Sequence, residues 1–265
     1  MKKAVLILLS LLLFAAWGGG GELASIRDAA KAEVTIERLR KEKPVNWDAV
    51  GAELDKTMPL LKAADAAAGT TYEKEIPAAL ADCRAGKDAK VAQQVLAKGL
   101  QHAAVLYIQD NLGKLQNDSE AAAKTAACFE GIRPTLTRRD KDFFAPAKTL
   151  EEAADRALAA LKDAGNGPGA WTAARELLDV LDRTYALSLL YEIQEIEKLR
   201  DKDLPECAVK KKEGEMFWRI LSPRVQKSSP KAHETITAML ASDYGAMDSK
   251  AMKEALSQGL PGIKL

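Results

Sequence analysis

Histidine is nearly missing from this chain: His102 and His233 are the only two in 265 residues. Zinc or copper sites built from several imidazoles are thereby excluded in their usual form. Gly99 stands three residues before His102 and Pro230 three before His233, so the Glu-x-x-His signature of di-iron bundles is missing as well. Cysteine is scarce. Cys83, Cys128 and Cys207 show no Cys-x-x-Cys spacing, which removes thioredoxin-like redox chemistry and covalent haem attachment. The sequence contains no HExxH, GxSxG, GxxxxGK[ST] or GxGxxG; the glycines at 18–21 belong to the N-terminal segment and those at 165–169 read as a loop. Charge of one sign is lacking too, with 39 basic side chains against 38 acidic. Such a balance provides no field for nucleic acid or an anionic membrane, and the lysine run at 210–212 is too short to change that.

The single long hydrophobic run lies at the start. Lys2 and Lys3 precede residues 4–17, which are apolar apart from Ser10, and small residues follow at 18–21. This is the pattern of a secretory signal peptide over residues 1–21, with cleavage expected between Gly18 and Ser25, and the run is too short to cross a bilayer comfortably. The mature chain is then expected to carry no transmembrane segment and to be extracytoplasmic, periplasmic or secreted. No cysteine follows the run, so a lipoprotein anchor has no acceptor. In an oxidising compartment two of the three cysteines are expected to bridge, leaving one buried thiol, with all three pairings open.

What the chain has in abundance is Ala, Leu, Lys and Glu, a composition that favours helix. Residues 76–100 and 236–260 share nine identities in 25 ungapped positions, among them Ile76, Leu80, Asp88, Gly99 and Leu100. A more diverged copy places residues 150–165 opposite 72–86, and FEGIRP from Phe129 resembles FWRILSP from Phe217. The pattern predicts an all-α helical bundle made from a duplicated three-helix unit of about 80 residues. Units are expected at 45–128 and 129–216, with a truncated third at 217–265, together forming one domain after an N-terminal amphipathic helix at 22–44. Each unit would contain a helix interrupted by proline (Pro59, Pro134, Pro223), a short helix and a longer one. The long helices near 89–115 and 168–199 are apolar on more than one face and are expected side by side at the centre. No stretch alternates with period two, so no sheet is expected.

The polar residues on those two long helices are the candidate site. Tyr107 and Asp110 lie on the first, Tyr191, Glu192 and Glu195 on the second, and the spacing of three between Glu192 and Glu195 puts both on one face. Carboxylate and phenolate oxygens suit ferric iron or another hard cation, and an internal twofold would bring the two sets together. Trp47, Trp171 and Trp218 are candidates for an apolar pocket, although aromatics that recur with a repeat usually pack in a core.

The segments LYEIQEIEKL (190–199) and GEMFWRILSPRV (214–225), with the export pattern and duplicated helices, resemble extracytoplasmic helical domains of bacterial iron-uptake systems, those associated with oxidase-dependent iron permeases and EfeO/imelysin-like proteins. The resemblance covers at most 45–225 and implies iron handling. It departs from the family at the His-x-x-Glu motif, since Val105 and Ile236 occupy the third places after His102 and His233. Arg175 to Asp179 is similar to the permease Arg-Glu-x-x-Glu motif but lies in no membrane helix. The expectation is an exported non-enzymatic binding protein that handles a metal ion such as iron, with a scaffold or interaction module docking an envelope protein as the alternative. An enzyme using Glu192 or Glu195 as acid or base would need a second catalytic group that the sequence does not specify.

Overall fold

Good helix formers separated by short breaks give ten α-helices and one 3-10 turn, with no strand among the described residues. The computed structural model describes residues 19–265. The signal peptide therefore lies almost wholly outside the described residues. The helices are α1 (Gly19–Leu39), α2 (Trp47–Ala68), α3 (Tyr72–Ala85), α4 (Ala89–Gly113), α5 (Ala121–Phe143), α6 (Thr149–Ala164), α7 (Gly169–Leu199), α8 (Leu204–Ser228), α9 (Pro230–Ala241) and α10 (Ser249–Gly259).

Side chains define many of the helix starts. Asn46 accepts a hydrogen bond from the Ala49 amide at 3.0 Å, and Asp248 accepts from Lys250 and Ala251. Two caps reach in from the preceding helix. The Asp65 carboxylate on α2 accepts from the amides of Tyr72 and Glu73, and Asp140 on α5 accepts from Leu150 and Glu151, all at 2.8–2.9 Å. Tyr72 and Leu150 are the positions that the sequence comparison places opposite one another. Helices α2, α5 and α8 continue unbroken through Pro59, Pro134 and Pro223, where an interruption was expected. Each proline removes one backbone hydrogen bond, and packing of long apolar faces on both sides holds the helix together across the gap.

Glycines recur where helices touch. A Cβ at Gly99 would stand 3.1 Å from Ile76 of α3, and one at Gly259 only 2.5 Å from Val225 of α8. The matched glycines thus serve the same purpose, close approach of a neighbouring helix.

The apolar interior forms two clusters. The smaller gathers Ile36, Val50, Leu54, Leu61, Ile76 and Leu96 from α1–α4, while the larger runs from α1 through α10 around Ile108, Phe129, Tyr185 and Phe217. Helix α1 supplies Ile26 and Ala29 to the larger and Ile36 and Leu39 to the smaller, so it is built into the bundle. The two long helices α4 and α7 are both largely buried but barely touch each other. Helix α8 packs against both, in the place where direct contact was expected. The expected disulfide is not formed either: all three thiols are free and buried. They sit on α3, α5 and α8, Cys128 and Cys207 in the larger cluster, with Cys83 and Cys128 turned toward the carbonyls of Ala89 and Ala104.

Candidate functional site

The five predicted ligands fall into two separate neighbourhoods. Tyr107 and Asp110 open on an external cleft of about 480 Å3 together with Glu22, Asp118 and Lys124. The Tyr107 hydroxyl donates to Glu22 Oε1 at 3.0 Å, and its pKa is pushed upward by burial and by that carboxylate. Asp110 is paired with Lys114 at 2.5 Å. The middle of this cleft is held by Lys124, whose ammonium stands 2.7 Å from Glu22, 2.9 Å from Asp118 and 3.9 Å from Glu120. Burial opposes that charge, but the acceptors outweigh it and raise the lysine pKa.

Tyr191, Glu192 and Glu195 sit elsewhere along α7. The Tyr191 ring lies 4.3 Å beneath the Arg139 guanidinium and meets Phe143 edge-on. Glu195 is paired with Lys198 at 2.7 Å on the surface. Glu192 turns inward, 2 % exposed, to a cluster of charges enclosed by the bundle. Asp110, Glu192 and Glu195 thus each already face an ammonium and Tyr107 a carboxylate, and among the described residues no three His, Cys, Asp or Glu side chains converge in an arrangement that could hold a metal ion.

That enclosed cluster is the part of the interior the sequence did not reveal. Lys98, fully buried on α4, stands 2.9 Å from Glu213 Oε1, an ion pair by distance whose ammonium is not aligned for a hydrogen bond. Its ammonium also lies 5.0 Å over the face of Phe217. Lys210 lies 3.2 Å from Glu192 and 3.9 Å from Glu213. Burial lowers the Lys98 pKa, and Glu213 only partly opposes it. Burial, reinforced by Glu213, pushes Glu192 up to about 7. Glu213 itself is held low because Lys98 and Lys210 outweigh its desolvation. Further along, burial against Glu37 pushes Glu33 up to about 8, and neither of its oxygens has a partner. Glu37 is held low: burial works against its charge, but Lys98, Arg40 and Arg138 prevail. Between them lies an internal cavity of about 10 Å3, bounded by Glu33, Glu37, Gln101 and Arg138, roughly the space of one water. The only trace of this cluster in the sequence is a lone lysine inside the apolar stretch from Val95 to Leu100.

Three further polar side chains lie on the same two long helices. His102 Nδ1 and the Tyr72 hydroxyl are 2.5 Å apart, and burial lowers the imidazole pKa to about 4. Arg183 stacks over Phe144 at 4.6 Å. The Tyr185 hydroxyl is buried without a partner.

The three tryptophans do not share a pocket. Trp47 packs on the smaller core, and Trp218 is buried beside His233, with ring centroids 5.2 Å apart. Trp171 is 46 % exposed. It stands on an open cleft of about 1050 Å3 where the C-terminal ends of α4 and α8, the first turns of α7 and the segment after α10 meet. Leu112, Ala174, Leu178 and Pro261 give the cleft apolar surface. Arg224 is neutralised by Asp179 at 2.8 Å and by Asp182. Arg175 and Lys227 are exposed on the same cleft and have no ion-pair partner among the described residues. An open basic cleft with an aromatic rim has the shape to hold an extended ligand. Comparison with family models, with curated proteins and with solved structures found no match for this chain.

Proposed function

We propose that this chain is an exported, non-enzymatic helical binding protein that docks another protein of the cell envelope through the cleft at Trp171. Export rests on the N-terminal pattern of two lysines, an apolar run and small residues. The observation that carries the docking reading is Trp171 itself. A large aromatic left nearly half exposed beside an apolar floor and two unpaired cations is the composition of an interface anchor, since Trp and Arg dominate binding energy at protein interfaces. Cross-linking of the native envelope through a photoreactive residue at Lys227 tests it. A discrete adduct that disappears when Trp171 is replaced by Ala supports docking, and absence of any adduct from the parent chain rejects it.

A second reading keeps iron. The cleft of Tyr107 and Asp110 adds the hard oxygens of Glu22 and Asp118, and the resemblance to iron-uptake domains points the same way. Here an ion would have to displace Lys124 from its carboxylates. Metal content of the natively exported protein, with melts in ferric, ferrous, cupric and zinc ions, decides between the two. A ligand at a hundred times its dissociation constant stabilises by about 2.7 kcal/mol; a change of that order for one ion, lost in Glu22→Ala with Asp110→Ala, favours iron. No change with any ion leaves protein docking.

A further inference from the structure

We infer that the Trp171 cleft accepts an acidic polypeptide segment carrying a large apolar side chain, a partner chemistry that rests on the docking reading above. Arg175 and Lys227 leave two positive charges uncompensated in a chain whose overall net charge is only +1, so the cleft is a local basic feature on a nearly neutral molecule. Carboxylates of a partner would compensate those two charges. The apolar requirement comes from Trp171, whose ring stands beside Leu178 and Pro261. A side chain inserted there would remove from water the exposed part of a tryptophan that is 46 % accessible.

The geometry disfavours other polyanions. A nucleic acid is gripped by many phosphate contacts, and two free cations are too few for it. An anionic bilayer would call for several basic residues around an amphipathic face, which a recessed cleft with one tryptophan does not provide. The open shape suits an extended chain better than a small molecule, which binds where most of its surface is enclosed.

The test selects random peptides displayed on phage against the immobilised full chain, then measures the enriched sequences by fluorescence anisotropy. Enriched peptides are expected to carry net negative charge and at least one large aliphatic or aromatic residue. Trp171→Ala should weaken them by at least about tenfold. Arg175→Glu with Lys227→Glu should weaken them more, and raising salt from about 0.05 to 0.5 M should weaken binding to the parent. All three side chains are exposed, so the variants are expected to keep the parent's melting curve. Should one fail to fold, Trp171→Phe and Arg175→Gln with Lys227→Gln replace it, with smaller losses expected. Enrichment of basic or neutral sequences, equal binding by parent and variants, no enrichment at all, or preference for single-stranded DNA or phosphatidylglycerol vesicles over peptides would each overturn the assignment. A photo-cross-linked partner whose capture is indifferent to the variants would sink the cleft and its acidic ligand while sparing protein docking. A parent chain that cross-links to nothing would sink both.

Discussion

Two lysines, Lys98 and Lys124, are both withdrawn from water beside carboxylates, yet they are displaced in opposite directions. Lys98 faces a single close acceptor, has Arg40 and Arg138 as like-charged neighbours, and is surrounded by helices on every side. Lys124 gathers Glu22, Asp118 and Glu120 at the edge of an open cleft. Desolvation therefore prevails at the first and pairing at the second. Burial alone does not set the state of a charge; the number of acceptors and the access of water to them do. The inner cluster is an energetic liability of the kind that well-packed apolar groups replace without loss, whereas the outer one resembles an ordinary surface network.

The largest effect is expected from breaking the inner cluster. Lys98→Ala removes the buried cation 2.9 Å from Glu213 and should cost about 3–5 kcal/mol in denaturant melts. Lys98→Met combined with Glu213→Met should recover at least half of that loss. If the double variant is no better than the single, the cluster is a net source of stability and the contrast with Lys124 is wrong.

A smaller effect concerns steric room beside Glu33. A Cβ at Gly131 would lie 2.4 Å from Glu33 Oε2 and 3.5 Å from the α1 backbone at Ala30. Gly131→Ala should therefore destabilise by about 1–3 kcal/mol, the range for overpacking a filled interior. An unchanged melt would mean that Glu33 moves aside freely.

The inner cluster should also be visible in pH dependence. Glu33 has a folded pKa of about 8 against 4.5 for a free carboxyl. The folded state thus binds the extra proton between those values, and stability falls as pH rises through that window. Glu33→Gln cannot titrate, so at pH 9 it should exceed the parent by more than about 1 kcal/mol, since a tenfold difference in proton affinity is worth about 1.4 kcal/mol. His102 works in the opposite sense. Its folded pKa of about 4 lies below the free value of 6.5, so stability is lost as pH falls from 6.5 toward 4. Melts of the parent and Glu33→Gln from pH 4 to 9 separate the two contributions, and parallel curves would refute the assignment to Glu33.

The smallest effect belongs to the outer cluster. Lys124→Ala releases Glu22 and Asp118 at the edge of an open cleft, so a loss of only about 1 kcal/mol is expected. A loss matching that of Lys98→Ala would erase the distinction between the two sites.

Much of the architecture could be read in advance because it is periodic. Stretches apolar on more than one face predicted long helices near 89–115 and 168–199, and they are found at Ala89–Gly113 and Gly169–Leu199. The absence of strands among the described residues agrees with the lack of period-two alternation. The helix order, with a proline-containing helix followed by a short one in each predicted unit, is also present. Reading the site was harder. Tyr107 and Asp110 do share a cleft, and Glu192 is buried, but the sequence marks each only by its own chemistry and not by its neighbours. Lys114, Lys198 and Lys210 come to those carboxylates from the same helix or from another, and only the last is remote in sequence.

Helical class, the approximate limits of its long helices, and the near-neutral charge belong to the sequence itself, because local periodicity and composition do not depend on which helix meets which. The third dimension decided that α8 packs against both long helices, that three thiols remain apart, and that Lys98 meets Glu213. It also decided that Trp171 stays in solvent while Trp218 is buried. These outcomes depend on crossing and rotation of helices about their axes, set by the fit of side-chain ridges from distant parts of the chain. No single segment contains that information.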